Sequence, residues 1–189
     1  MTARTWLWVG LVAAAVTNLG SATFQVLGPV TFADDRGGAS AWGLVLTAGA
    51  IGGVLGGMTG LRWRPGRPLV AAFVLYSFAG LALAALAVPA ALPVIALATT
   101  CYIAGTAAAN IVWETALQAE IPQEVMARVD SYDWLVSLVF VPVGLAIAGP
   151  AADAFGRGAT LWAAAALSAG AMLLVLAVPD VRRLRRAAY

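Results

Sequence analysis

Six apolar stretches, each long enough to cross a bilayer, follow one another along this chain. They run over roughly residues 5–32, 40–61, 68–88, 92–118, 131–152 and 158–178. About 20 predominantly apolar residues span the hydrocarbon core, so the repetition constrains the fold more than any single motif. Within lipid every backbone donor and acceptor must be satisfied inside the segment or in a closed barrel. No stretch alternates apolar and polar residues at period two. The reading is therefore an all-α membrane protein of six transmembrane helices, with residues 1–189 forming one domain. With 62% hydrophobic and 11% charged residues, the chain carries less than half of the roughly 25% charge of a soluble domain. The first stretch, with Arg4 ahead of it, also has the outline of a signal peptide. It is too long for one, and five further spans follow it.

The breaks between spans carry charge, proline or glycine: "ADDRGGAS", "RWRPGRP", "VPAALP", "AEIPQEVMARVD" and "DAFGRGA". Alternating the loops puts Arg4, Arg62, Arg64, Arg67, Arg128, Arg182, Arg183, Arg185 and Arg186 on one side and only Arg36 and Arg157 on the other. By the positive-inside rule the first side is cytoplasmic. Both termini then lie in the cytoplasm and the chain is a multi-pass protein of the cell membrane. The basic ends touch anionic lipid. Nucleic acid is not an expected partner, because no aromatic residues interleave with the arginines.

Absent residue types exclude several chemistries. The chain has no histidine, no lysine and one cysteine, Cys101. Disulfides within the chain, His or Cys metal clusters, His-based triads, Schiff-base lysines and the phosphate-cradling GxxxxGK[ST] loop are all excluded. No enzyme, cofactor or metal is expected. Intramembrane proteolysis of the serine type needs a histidine and the aspartyl type a GxGD sequence, and neither is present.

Within "GAIGGVLGGMTG", Gly49, Gly53 and Gly57 recur every fourth residue, as do Gly52, Gly56 and Gly60. On a helix the six fall within an arc of about 140°. Such a face lets a second helix approach closely, either as a fixed contact or as a moving one. A nucleotide-binding glycine loop is excluded by the lack of a preceding strand.

Polar residues inside a span are costly and mark pathways. In the first span Asn18, Ser21 and Gln25 follow at i, i+3 and i+7, with Thr17 beside them and Pro29 set to kink the outer end. In the fourth, Thr99, Tyr102, Thr106, Asn110, Trp113 and Glu114 fall within about 120° of one another. Both stripes are candidates for lining a wet cavity; interhelical hydrogen bonding without a cavity is the alternative. Glu114 either carries a proton or pairs with Arg128 or a neighbouring loop arginine, and its shallow depth favours the pair. The fourth loop reads as a short helix, with Pro122 at its first position and Arg128 in its last turn. Asp130 or Ser131 then caps the fifth span. Arg62, Arg64, Arg67, Arg128, Asp130 and Asp133 share the cytoplasmic side as candidates for gate ion pairs.

The residues "WGLVLTAGAIGGVLGG", "WETALQAEIPQEVMARVDSYDW", "PVGLAIAGPAADAFG" and "ATLWAAAAL", in this order and spacing, resemble the C-terminal six-helix half of Major Facilitator Superfamily transporters. The nearest look is to the bacterial enterobactin-exporter-like and macrolide-efflux-like branch. The superfamily pattern G-x-x-x-D-x-x-G-R is present at Gly149, Asp153, Gly156 and Arg157, after the fifth span. At the usual gating position, after the second span, "TGLRWRPGRP" keeps Gly66 and Arg67 but has Trp63 where the acid belongs. The antiporter pattern G-x-x-x-G-P is missed by one residue at Gly144, Gly149 and Pro150. The resemblance implies a 3+3 inverted repeat. It implies that the first and fourth spans line a central cavity, the second and fifth face the other half, and the third and sixth pack toward lipid. A small amphipathic molecule would be exported by alternating access, driven by a proton gradient. A full transporter of this kind has twelve spans. The chain is thus expected to be inactive alone: a truncated product, a misassigned start at Met1, or one piece of a two-chain or dimeric transporter. Its partners would be the bilayer, an N-terminal six-helix half or a second copy, and the substrate. The alternative is a stand-alone six-helix membrane protein that acts as a homodimer or assists another membrane complex.

Overall fold

The computed structural model describes residues 5–184, apart from the side chains at positions 34, 35 and 137. Arg4, Arg185 and Arg186, counted above for topology, lie outside the described residues. The described chain is helical, with no strand, and its helices are α1 (Thr5–Asp35), α2 (Gly38–Arg62), α3 (Pro68–Tyr76), α4 (Ala79–Ala87), α5 (Leu92–Glu120), α6 (Gln123–Phe155), α7 (Arg157–Val175) and α8 (Pro179–Arg183). Six segments are long and apolar enough to cross a membrane, with α3 and α4 together making the third. The chain is a multi-pass, membrane-embedded helical bundle. Prolines stand in the first turns of α3, α5 and α8, where a missing N–H costs nothing.

Two elements depart from the sequence reading. The third span is two helices. After Tyr76 the pattern tightens: Phe78 N–H donates to Leu75 O at 3.2 Å and Gly80 N–H to Ser77 O at 3.1 Å. The Ser77 hydroxyl donates a further bond to Val74 O at 2.7 Å. Ser77 and Gly80 flank the tightened turn, and side chains that compete for the helix ladder are among the causes of kinks. Conversely, the fourth loop and the fifth span are one helix of 33 residues. Pro122 is its N-cap rather than its first residue, and neither Asp130 nor Ser131 caps anything. The Ser131 hydroxyl instead donates to Ala127 O at 2.6 Å, one turn back. No glycine or proline lies between Gln123 and Val141 to stop the helix. At 1.5 Å per residue α6 is about 50 Å long, beyond a hydrocarbon core of about 30 Å. Its polar first turns therefore project from the apolar slab. α1 likewise continues through Pro29 as a single helix.

Packing is set by small residues. The stripe Ala41, Val45, Gly49, Gly52, Gly56 and Gly60 is the buried face of α2, and it lies on α5. A methyl group added at Gly56 would overlap the Ala104 carbonyl, one at Gly52 would sit 2.6 Å from Thr100 O, and one at Gly60 3.0 Å from Ala108 Cα. Such an approach of two backbones requires glycine. Gly57, in contrast, has nothing within 4 Å, and Gly53 meets only Ile103. The six glycines are therefore not one face turned toward a second half. Four are consumed by α5 within this bundle, and the outward side of α2 is apolar, with Leu44, Leu55 and Leu61 exposed. Gly144 of α6 makes the corresponding close contact with Leu19 and Ala22 of α1.

The core comes in two apolar clusters. One, at the end carrying Arg62, Arg64 and Arg67, gathers Trp6, Ala13, Leu69, Phe73, Val112, Trp113, Leu117, Met172 and Val175. The other, nearer Arg36 and Arg157, gathers Phe24, Leu27, Phe32, Val45, Leu83, Leu86, Ile95 and Leu161. Between them runs a level of polar side chains: Thr17, Asn18 and Ser21 on α1, Tyr76 at the end of α3, Thr106 and Asn110 on α5, and Ser168 on α7.

Candidate functional site

The polar level encloses a partly open cavity of about 330 Å³. α1 supplies Gly10, Ala14, Thr17, Asn18 and Ser21; α3 Phe73 and Tyr76; α5 Tyr102, Thr106, Asn110, Trp113 and Glu114; α6 Asp133; α7 Met172. Toward the arginine-rich end it is floored by Trp113, whose ring meets Trp6 and Phe73 edge-on, each at 5.7 Å between centroids. At the opposite side Tyr102 meets Phe24 at 5.8 Å, and Phe24 in turn packs on Trp42 at 5.2 Å. An aromatic lid at each end and hydroxyls, amides and carboxylates between them is the composition of a ligand cavity: mostly apolar walls with a few placed polar groups.

Seven residues of the two polar stripes meet here: Asn18, Ser21, Tyr102, Thr106, Asn110, Trp113 and Glu114. Two do not. Thr99 is fully buried and its hydroxyl has no partner. It lies at the centre of the α5 stripe by angle, but Gly49 has no side chain there, so α2 closes over it; a methyl at Gly49 would stand 3.1 Å from Thr99 Cγ2. Gln25 is exposed, and its amide turns back to Ser21 O at 3.4 Å, away from the cavity. The Ser21 hydroxyl itself donates to Asn18 O at 2.9 Å.

Tyr76 was not foreseen. Its hydroxyl donates to Asn110 Oδ1 at 2.7 Å, which anchors the break between α3 and α4 to α5. Gly105 abuts the same break, where an added methyl would lie 2.9 Å from Leu75 O. A tyrosine directly before a Ser and two residues ahead of Phe78 in an otherwise apolar span was the available signal. Asp133, expected at a gate, lines the cavity instead. The reason is the continuity of α6, which carries Asp133 on a helix packed against α1 rather than on a separate loop.

The expected pair between Glu114 and Arg128 is not formed. Both side chains are exposed, Glu114 at the edge of the cavity on α5 and Arg128 on α6. Among the described residues Arg62, Arg64, Arg67, Arg128, Asp130 and Asp133 form no ion pair with one another. The arginines border open depressions instead: Arg62 beside Leu55, Met58, Thr59 and Trp63, Arg64 in a groove with Glu120, and Arg67 facing Arg182 and Arg183 across the start of α8.

At the far end, Gly149 and Asp153 occupy the last turns of α6, and Gly156 alone joins α6 to α7 with φ 88° and ψ 146°. That conformation is confined to glycine. Arg157 opens α7 and donates to Val30 O at 3.4 Å, and Arg36 donates to Val88 O at 2.8 Å. The motif-like turn is thus a tight helix-to-helix joint, with its arginine tied to α1. Among the described residues no group of three or more His, Cys, Asp or Glu side chains could hold a metal.

No protein family, curated protein or solved structure matches the chain.

Proposed function

We propose that the chain is one six-helix half of a transporter of the Major Facilitator type, exporting a small amphipathic molecule by alternating access. The observation that carries this reading is the polar cavity between two apolar clusters, built mainly from the first and fourth spans. A site at mid-depth between such elements is where alternating-access transporters bind their substrates.

The packing scheme supports an inverted 3+3 repeat. Exchanging the first three spans for the last three turns the contact of α2 with α5 into that of α6 with α1. It also turns the contact of α7 with α1 into that of α3 and α4 with α5, and leaves the contact of α4 with α7 in place. Glycines mediate both members of the first exchange, Gly52, Gly56 and Gly60 in one and Gly144 in the other. In this reading the arginine-rich end is cytoplasmic, and the outward apolar sides of α2 and α6 receive a second six-helix unit. α6 supports the latter with Trp134, Leu135 and Leu138 exposed along one side. Glu114 and Asp133 are the carboxylates through which proton movement would couple to the substrate.

Cysteine accessibility tests the reading. On a Cys101→Ser background, single cysteines at Ser21 and Thr106 are expected to react with a membrane-impermeant maleimide, because the cavity they line is partly open. A cysteine at Leu83, in the apolar cluster, is expected to stay unlabelled. If Ser21→Cys and Thr106→Cys are silent from both sides in intact membranes, the cavity is dry and the transport reading fails.

A further inference from the structure

At the arginine-rich end, Arg67, immediately before α3, shares one open depression of about 550 Å³ with Pro179, Arg182 and Arg183 of α8. Packing fixes the arrangement. Val181 is fully buried in the apolar cluster that holds Leu69, Phe73 and Val175, and Leu184 packs against the same cluster. With those two anchored, α8 lies against α3. Arg182 folds back over the start of α8, its guanidinium donating to Ala177 O at 3.0 Å. Among the described residues Arg67 and Arg183 have no hydrogen-bond or ion-pair partner. No acid lines the depression: Asp180 is exposed on α8 outside it, and Glu120 lies in the groove with Arg64.

The start of α3 adds potential of the same sign. Its first turn has no acidic residue, and Arg67, its N-cap, makes no side-chain capping bond. The positive end of the helix dipole is thus uncompensated beside Arg67. Like charges gathered in this way repel one another until an anion joins them. Guanidinium groups suit phosphate, which accepts paired N–H bonds from their planar fork. The level of the depression narrows the source. Arg67 directly precedes the third span, Pro68–Ala87, and Pro179 closely follows the sixth, Arg157–Val175. Span ends lie where headgroups meet hydrocarbon, and these two spans leave Val74, Leu173 and Leu174 exposed. We propose that the depression is a discrete lipid site, which binds the phosphate of an anionic phospholipid between Arg67, Arg182 and Arg183. Basic pockets on the cytoplasmic side of helical bundles take such headgroups. The site stands apart from the central cavity and from whatever that cavity takes.

Native mass spectrometry of the full chain in detergent micelles tests this. Phosphatidylglycerol, phosphatidylcholine with the same acyl chains, and inorganic phosphate are each titrated, and occupancy is read from the added mass. Phosphatidylglycerol is expected to half-occupy the protein at a concentration at least about tenfold below phosphatidylcholine. The Arg67→Gln, Arg182→Gln, Arg183→Gln triple variant is expected to remove that preference. The Arg62→Gln, Arg64→Gln, Arg128→Gln variant, with the same loss of charge, is expected to keep it. Arg183→Gln alone, at an exposed and unpartnered position, is expected to weaken the preference without touching the packing. No preference in the unaltered protein overturns the site, whatever the variants do. An unchanged preference in Arg183→Gln also overturns it. So does an equal loss in the two triple variants, since binding then follows total charge rather than place. Displacement of phosphatidylglycerol by inorganic phosphate at equal concentration makes the ligand free phosphate and overturns the lipid assignment.

Discussion

The contact between α2 and α5 gives the sharpest prediction, because two chemically identical substitutions at adjacent residues are expected to act in opposite directions. Gly56→Ala places a methyl inside the Ala104 carbonyl of α5, whereas Gly57→Ala places one where nothing lies within 4 Å. The obstacle at Gly56 is backbone and cannot rotate aside, so α2 must withdraw by about an ångström. A gap of that size forfeits a quarter to a half of each dispersion contact it opens. Gly52 against Thr100 and Gly60 against Ala108 are on the same seam and open with it. Overpacking of this kind costs about 1–3 kcal/mol. Each substitution also gains up to about 1 kcal/mol in helix propensity. That gain is common to both variants, so their difference isolates the packing cost of about 1–3 kcal/mol. Reversible unfolding in mixed micelles at rising dodecyl sulfate fraction, followed by circular dichroism, measures it. A Gly56→Ala midpoint equal to or above that of Gly57→Ala would refute the claim that this glycine ridge is a closed backbone contact within the bundle.

Three further outcomes are expected. Tyr76→Phe removes the bond to Asn110 and should cost about 0.5–1.5 kcal/mol in the same titration, and a double-mutant cycle with Asn110→Ala should show the two losses to be non-additive. Thr99→Val keeps the shape and deletes a buried hydroxyl that has no partner, so stability should be unchanged or higher; a loss above about 1 kcal/mol would mean the hydroxyl has a partner after all. Gly156→Ala meets no steric obstacle, only a backbone conformation denied to other residues, and should cost about 1–3 kcal/mol, read as an earlier unfolding midpoint.

How far the sequence could be read follows from which physical scale each feature depends on. Spans are fixed by bilayer thickness, a property of the solvent, so their number and approximate limits could be read from hydropathy alone. Helical angle was readable too: Asn18, Ser21, Thr106 and Asn110 share a cavity because a helix repeats at a known period. Depth and neighbours were not. Thr99 has the right angle, yet the bare Gly49 across from it lets α2 seal it off. Gln25 has the right angle on α1 but bonds back along its own helix. The break at Ser77 and Phe78 depends on a hydroxyl and on a facing glycine at position 105, a tertiary cause with no strong local sign. The reverse error, at Pro122 to Asp133, came from treating polar residues as the end of a helix. In lipid they mark only where the helix leaves the apolar slab.

These details converge on one level of the bundle. The third span breaks directly after Tyr76, and Tyr76 holds Asn110; both residues line the cavity between the two apolar clusters. The backbone at the 77–78 break is paired locally, Phe78 N–H to Leu75 O and Gly80 N–H to Ser77 O. With the cavity present, the break delivers a phenolic hydroxyl to the amide on the facing helix and ends the helix where the polar level begins. The halves of the third span are then tied to different clusters, α3 through Leu69 and Phe73 and α4 through Leu83 and Leu86. A change in what fills the cavity acts first on the joint between them. Fluorine labels on α3 and α4 should therefore report a shift when Thr106→Trp fills the cavity, and a smaller one when Tyr76→Phe has already released Asn110. A shift of equal size in both proteins would show that the joint and the cavity are independent.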